Sequence, residues 1–403
     1  MTKADKEGQR KAPILRFKGF TDDWEQRKLG NLFNERKEKS TKGELLSVTL
    51  SNGVTKFSDL NKKDNSNIKS GNYKVVKKND IPYNSMRMWQ GASGVSSYDG
   101  IVSPAYTVLV PNRNSNSNFY AVLFKKKSIL NLFTRFSQGL TSDTWNLKYP
   151  ILKDIIVPFT NLEEQKRIFK IFNVINNLLA LYDRKLKLLS QIKKYFLDNL
   201  FAKKEYPNLR FKGFTDAWEQ RKLSSILIER KDLSTESKQF PLSSFIQEKG
   251  VVPKSQRYDR SFLVKDSSKK YKVTKFGDFI YSSNNLDTGS IGLNSYGNAV
   301  ISPVYSVFSS KNSNILETNF VNLLFQQNFY KNKMLRFRQG VMYGQLKIKE
   351  DDFLKVKVNV PSQIEIKNII NLFSKIESYA TLLENKKKQL VQIKNTLLNT
   401  MFI

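Results

Sequence analysis

The sequence predicts an α+β protein in which two pseudo-repeated globular domains are separated by two long antiparallel coiled-coil helices. Three observations predict it. A segment of 23 residues occurs twice, 194 residues apart. Each copy closes on more than 40 residues without Gly or Pro, with apolar positions at helical spacing. Between these landmarks the text is strand-like, and its loops are rich in Asn, Ser and Gly.

The repeat comes first, because self-similarity at a fixed offset organises a chain before any local reading. Leu15–Lys37 reads LRFKGFTDDWEQRKLGNLFNERK, and Leu209–Lys231 reads LRFKGFTDAWEQRKLSSILIERK. The match continues at sparse anchors. Lys74, Val75, Asp80, Tyr83, Gly91 and Gly94 correspond to Lys272, Val273, Asp278, Tyr281, Gly289 and Gly292 at offset 198. Arg135-Phe136-Ser137-Gln138-Gly139 corresponds to Arg336-Phe337-Arg338-Gln339-Gly340 at offset 201. The interiors, roughly 38–134 and 232–335, otherwise diverge. One scaffold carrying two different reading surfaces would produce this contrast.

In the repeated opening, Asp22 reads as a helix N-cap, with Glu25 at the capping-box position and Trp24 packing inward. Asp216 and Glu219 repeat the pattern. In the interiors, strands are expected at Tyr73–Val76, Ile101–Val110, Phe119–Phe124, Lys272–Val273, Phe279–Tyr281 and Val300–Ser309.

The first helical segment follows Pro158 and is closed by Pro207; the second follows Pro361. Its stripe runs through Ile168, Phe172, Ile175, Leu179, Tyr182, Leu186, Leu189, Ile192, Phe196 and Leu200. The second runs through Ile369, Phe373, Ile376, Ala380, Leu383, Lys387, Leu390, Ile393, Leu397 and Met401. Spacings of three and four make a coiled-coil seam, and a rod of this kind is about 60 Å long at 1.5 Å per residue. Two matching rods in one chain should pair antiparallel, with a pseudo-two-fold axis between the domains. The expected division is a disordered leader at 1–14, a first domain at 15–160, a helix and linker at 161–208, a second domain at 209–361 and a second helix at 362–403.

Charge names the class of partner. The 68 Lys and Arg against 36 Asp and Glu give +32, and little of that excess lies in the helices. A large basic excess points to a polyanion. The Lys and Asn content also fits AT-rich coding. The chain has no Cys and no His, which excludes a disulfide framework, a thiol nucleophile, a Ser-His-Asp triad and ordinary zinc sites. No run approaches the ~20 apolar residues of a membrane span. Met1–Lys11 is charged and does not read as a secretory signal, so the cytoplasm is expected.

Candidate DNA-reading residues are polar side chains in turn-rich, divergent places. Arg pairs with guanine, and Asn or Gln with adenine, through two hydrogen bonds each. The first copy offers Arg87, Trp89 and Gln90; the second offers Asn284, Asn285 and Asp287 in the same frame. After the shared Arg-Phe-x-Gln-Gly turn come Gln138 and Ser142 in one copy, and Gln339, Tyr343 and Gln345 in the other. Lys62, Lys63, Lys254 and the run Lys125–Lys127 are candidate phosphate contacts. A metal-dependent nuclease would need clustered carboxylates. Glu35-Arg36-Lys37 and Glu229-Arg230-Lys231 have a matching but very short spacing and fall in expected helix. No Gly-rich dinucleotide or methyl-donor loop, Walker A sequence or Asn-Pro-Pro-Tyr type motif is present.

The repeated TDDWEQRKL and TDAWEQRKL openings, the VSP and ISP strands, the RFxQG turns and the EQKRI and EIKNI helices together resemble the specificity subunit of type I restriction–modification enzymes. The resemblance covers the chain from Leu15 onward. It implies that each globular part is a target recognition domain reading one half of a split, asymmetric site in double-stranded DNA. It implies a non-catalytic chain that binds no cofactor. Two modification subunits would supply S-adenosylmethionine-dependent adenine methylation, and restriction subunits would cleave with ATP and Mg. The helices would serve as ruler and dock, with Ile168, Phe172, Ile175, Leu179, Tyr182, Leu189, Ile369, Phe373, Ile376, Leu383 and Leu390 as candidate docking positions. The alternative is a non-catalytic coiled-coil scaffold that binds nucleic acid nonspecifically.

Overall fold

A computed structural model describes residues 11–50, 52–60, 63, 66, 68, 71–246, 250–254, 269–282, 290–340 and 348–403. The chain divides into two compact units, Met1–Asp183 with Glu384–Ile403, and Arg184–Leu383. The long helices are therefore not separate pieces: each is shared, one part to each unit.

In the first unit, strand β1 (Glu25–Lys28) is followed by β2 (Phe33–Glu35), β3 (Leu46–Thr49), β4 (Gly53–Lys56), β5 (Lys74–Val76), β6 (Ile81–Asn84), β7 (Gly100–Val102) and β8 (Tyr106–Pro111). Helices α1 (Ser117–Leu123), α2 (Lys127–Phe136) and α3 (Tyr149–Leu152) lead to β9 (Ile156–Phe159) and the long helix α4 (Leu162–Asn199). The pairs β1-β9, β3-β4 and β5-β7 and the three-stranded sheet β2-β8-β6 are antiparallel.

The second unit repeats the plan. It holds β10 (Glu219–Lys222), β11 (Leu227–Glu229), β12 (Leu233–Ser234), β13 (Ser243–Ile246), β14 (Gly250–Pro253), β15 (Tyr271–Thr274), β16 (Phe279–Ser282), β17 (Ile291–Leu293), β18 (Ala299–Ile301) and β19 (Tyr305–Ser310). Helices α5 (Ile315–Phe325), α6 (Asn328–Leu335) and α7 (Glu350–Leu354) precede β20 (Lys357–Val360) and the second long helix α8 (Gln363–Thr400). Here β10 pairs with β20, as β1 pairs with β9.

Four aromatic rings close each core in the same way. Trp24, Phe119, Phe172 and Phe402 meet in the first unit, with Phe119 and Phe402 centroids 5.2 Å apart. Trp218, Phe320, Phe373 and Phe201 meet in the second, with Phe201 and Phe320 5.6 Å apart. The phenylalanine beyond the end of one helix thus fills the core beside the start of the other. This fixes an antiparallel sense within each unit. In the first, Phe172 meets Phe402 and Asp183 pairs with Lys387. In the second, Phe201 meets Phe373 and Lys193 pairs with Glu377 at 2.9 Å.

Several local expectations are overturned. Glu25–Lys28 and Glu219–Lys222 are strands, not first turns of capped helices. Their partners are distant in sequence: Glu25 lies opposite Phe159 and Lys28 opposite Ile156, and the Arg27 guanidinium sits 3.6 Å over the Phe159 ring. Glu35 and Glu229 likewise end strands. Phe119–Leu123 is helical, because the Asn116 side chain accepts the Phe119 N–H and caps α1. Lys11–Ile14 is not a disordered leader: the Lys11 carbonyl accepts the Trp24 N–H, and Pro13 is buried.

Candidate nucleic-acid interface

The repeated residues build the frame. Arg16 forms a two-pronged pair with Glu164 (2.7 and 2.9 Å), and Arg210 does so with Glu365 (2.9 Å each). Arg36 grips Asp80 (2.7 and 3.1 Å), and Arg230 grips Asp278 (2.7 and 3.0 Å). All four carboxylates are nearly fully buried. Hydrogen bonding to Asp80 and Asp278 raises Arg36 and Arg230 above the ordinary guanidinium value. Tyr83 and Tyr281 donate their hydroxyls to the carbonyls of Leu147 and Ile348. These contacts explain why Asp80 and Tyr83 recur as Asp278 and Tyr281 in otherwise divergent interiors: each is half of a buried polar pair that is costly to leave unpaired.

The divergent residues of the first unit sit on that frame as two adjoining loops. After β6 the chain makes a turn through Met88–Gln90 and is reversed at Gly91, whose φ is +87°. Met88 is buried and anchors the turn, while Arg87 and Gln90 face outward. The second loop follows α2. Gln138 and Asn146 exchange backbone hydrogen bonds of 3.0 and 2.8 Å and close it at the base. Gly139, at φ +145°, starts the turn, and the Thr144 hydroxyl accepts the Thr141 N–H. Gln138, Leu140, Thr141, Ser142 and Asp143 are exposed.

Two contacts bring the loops together. Leu147 donates its N–H to Ser85 (2.8 Å), and the Trp89 and Trp145 rings meet edge to face at 5.2 Å. Arg87, Trp89 and Gln90 therefore share one surface with Gln138 and Ser142. Trp89 itself is partly enclosed, its indole N–H bound to the Met86 carbonyl at 3.1 Å. Composition alone missed Trp145. The signal was available: of four Trp, Trp24 and Trp218 repeat, whereas Trp89 and Trp145 do not.

Other candidates fare differently. Gln339 is exposed and donates to Asp352 at 3.0 Å. Lys63 is exposed and Lys254 half-buried. Lys62, Asn284, Asn285, Asp287, Tyr343 and Gln345 lie outside the described residues. Lys125 is no free phosphate ligand: it donates to the Ser93 carbonyl at 3.0 Å and to that of Gly91.

The helix stripes are largely used within the chain. Ile168, Phe172, Ile175, Ile369, Phe373, Ile376 and Leu383 are buried, and Leu179, Tyr182, Leu189 and Leu390 are half-buried. The stripe members Ile192 and Ile393 face outward, as do apolar side chains off the stripes: Val174, Leu178, Leu181 and Val391 in the first unit, and Leu188, Tyr195, Ile364, Tyr379 and Leu382 in the second.

Among the described residues, no group of three or more acidic side chains is placed to hold a metal, and no helix is long and apolar enough to cross a membrane.

Residues 21–191 match the family model of the type I restriction modification DNA specificity domain. The chain is 24% identical over 351 residues to the type I restriction enzyme MjaVIII specificity subunit of Methanocaldococcus jannaschii, covering 81% of this chain and 78% of that one. It is 28% identical over 109 residues to the putative type I restriction enzyme MjaX specificity subunit of the same organism, covering 26% of this chain and 25% of that one. The crystal structure of a type I restriction-modification system S subunit from M. genitalium matches 97% of this chain and 99% of its own, with a TM-score of 0.59 and 14% identity. A chain from a structure describing complex assembly and conformational transition of the type I R-M system matches 94% of this chain and 97% of its own, with a TM-score of 0.51 and 14% identity. The internal repeat carries the matched pattern into the second half, and the fold agrees with these solved structures over nearly the whole length: residues 21–191 match a type I restriction modification DNA specificity domain, and most of the chain is similar to type I restriction enzyme specificity subunits.

Proposed function

We propose that the chain reads a bipartite, asymmetric site in double-stranded DNA, one half per unit, and directs partner subunits to it. The observation that carries this reading is the contrast between frame and loops. The Arg36–Asp80 and Arg230–Asp278 pairs are the same, yet Arg87-Met88-Trp89-Gln90 stands where the second copy has Asn285-Leu286-Asp287-Thr288. Equal scaffolds with unequal polar loops suit two unlike half-sites. Exposed Arg87, Gln90 and Gln138 offer donors and acceptors matched to guanine and adenine edges. Surface lysines such as Lys63 supply phosphate contacts, which position without specifying.

Chemistry falls to the partners. Two modification subunits would bring S-adenosylmethionine and methylate adenine; restriction subunits would bring ATP and Mg and cleave. The chain itself would hold no cofactor and work in the cytoplasm. The outward apolar residues of α4 and α8 are the better candidates for docking those subunits, since the inner stripe is occupied.

The test is competition binding by the full chain, co-purified with its modification subunits. A sequence-reading protein prefers its site over bulk DNA by roughly 10³-fold or more at physiological salt. A nonspecific scaffold would give a steep salt dependence and no such ratio.

A further inference from the structure

Lys125 lies just beyond α1, in a run of three lysines. Its neighbour Lys127 is exposed, but Lys125 turns inward beneath the Met88–Gln90 turn. Its Nζ donates to two carbonyls of that turn, Gly91 and Ser93, whose residues are buried. Its aliphatic stem runs along Gly91, where an added Cβ would stand 3.4 Å from the lysine Cδ. Among the described residues no carboxylate forms an ion pair with it. Burial, and the positive charge of Lys394, push the ammonium down to about 8.

Placing a lysine here has a definite consequence. The left-handed Gly91 aims two carbonyls inward, and buried acceptors without donors are costly. The Gly91 carbonyl also accepts the Ser93 N–H at 2.8 Å, so the lysine adds a second donor there, supplies one to the Ser93 carbonyl, and ties the turn to the helical layer below. The repeat-equivalent position, 201 residues on, is Gln326. The strut therefore belongs to the first copy's turn, not to the shared frame.

We propose that Lys125 is a positioning residue for the first unit's reading turn: it holds the Gly91 and Ser93 carbonyls so that Arg87 and Gln90 are presented in fixed geometry, and base discrimination in one half-site depends on it without its touching DNA. This rests on the reading of the turn as a DNA reader, so the test carries Arg87→Ala as a separate arm.

The full chain, co-purified with its modification subunits, is measured on duplexes bearing single base changes in either half-site, across a salt series. Lys125→Met keeps the stem and removes the donors. It should lower discrimination by roughly tenfold, within the usual range for one base pair, only in the half that Arg87→Ala affects. The salt slope should not change. Should Lys125→Met fail to fold, Lys125→Gln, which can reach one carbonyl, should lose part of the discrimination in that same half. A slope reduced by about 1 would make Lys125 a phosphate contact and overturn the proposal. An equal loss in both halves would make it a general stability residue and overturn it too. An effect of Arg87→Ala with none of Lys125→Met overturns the strut alone. Silence of both variants overturns the reading of the turn and the strut with it.

Discussion

Trp24 donates its indole N–H to Glu164 at 3.1 Å, whereas the indole nitrogen of Trp218, at the same place in the second unit, has no hydrogen-bond partner among the described residues. The two carboxylates otherwise match: each takes a two-pronged arginine and sits in the first turn of a long helix. Asn161 caps that turn in one unit and Ser362 in the other, at 2.9 and 3.3 Å. Glu164→Ala strips Arg16, Trp24 and Thr160 of one acceptor, while Glu365→Ala strips Arg210. Breaking a buried pair costs about 3–5 kcal/mol, and one further buried donor about 1 kcal/mol. Chemical unfolding should show Glu164→Ala as the more damaging of the two, and equal losses would contradict the asymmetry.

The Arg36–Asp80 pair and its Arg230–Asp278 twin hold equivalent places, and Asp80 and Asp278 also accept the backbone N–H of Lys77 and Lys275. Asp80→Ala should destabilise by about 3 kcal/mol or more, with faster amide exchange in the first unit. Asp278→Ala should do the same in the second. Loss of protection spread evenly over both units would count against separate cores.

Gly139 carries a φ of +145°, and a Cβ there would stand 2.7 Å from the Thr144 carbonyl. Gly139→Ala should distort the loop closed by Gln138 and Asn146 at a cost of about 1–3 kcal/mol. Discrimination in one half-site should fall while the other half is unchanged, read by competition with mismatched duplexes.

The depressed Lys125 ammonium predicts a pH signature. Folding lowers its value from 10.5 to about 8, so between these limits the unfolded chain binds more protons. Stability contributed by this group therefore rises with pH from about 8 to 10.5. Lys394 and Lys333, also lowered by burial, act in the same sense, so the test is a difference. Lys125→Met should flatten the rise in unfolding free energy over that window; an unchanged slope would show that the lysine is not desolvated.

What the sequence reveals depends on the range of the forces involved. The repeat and the long helices were legible because identity and period are local properties of the text. The Glu25–Lys28 strand was not. Asp22-x-x-Glu25 is a local helix signal, but pairing with Ile156–Phe159, some 130 residues away, overrides it. Phe119–Phe124 looks like a strand by composition, and a single cap at Asn116 makes Phe119–Leu123 a helix. Arg87 and Gln138 could be singled out as residue types in turns, yet their meeting depends on Trp89 against Trp145 and on Leu147 against Ser85. Lys125 was misread as a phosphate ligand because nothing in a run of lysines tells which one folds inward. The inner helix stripe was read correctly as a seam but assigned to a partner, when Phe172 and Phe373 complete the chain's own cores.

Mapping methylated adenines in cells that carry the chain, lack it, or carry the Arg87→Ala, Gln90→Ala double variant tests most directly whether each unit reads its own half of a site. The predicted result is a split motif that vanishes without the chain and is relaxed in one half only by the double variant. A methylation pattern unchanged on deletion, or a motif relaxed equally in both halves, would contradict it.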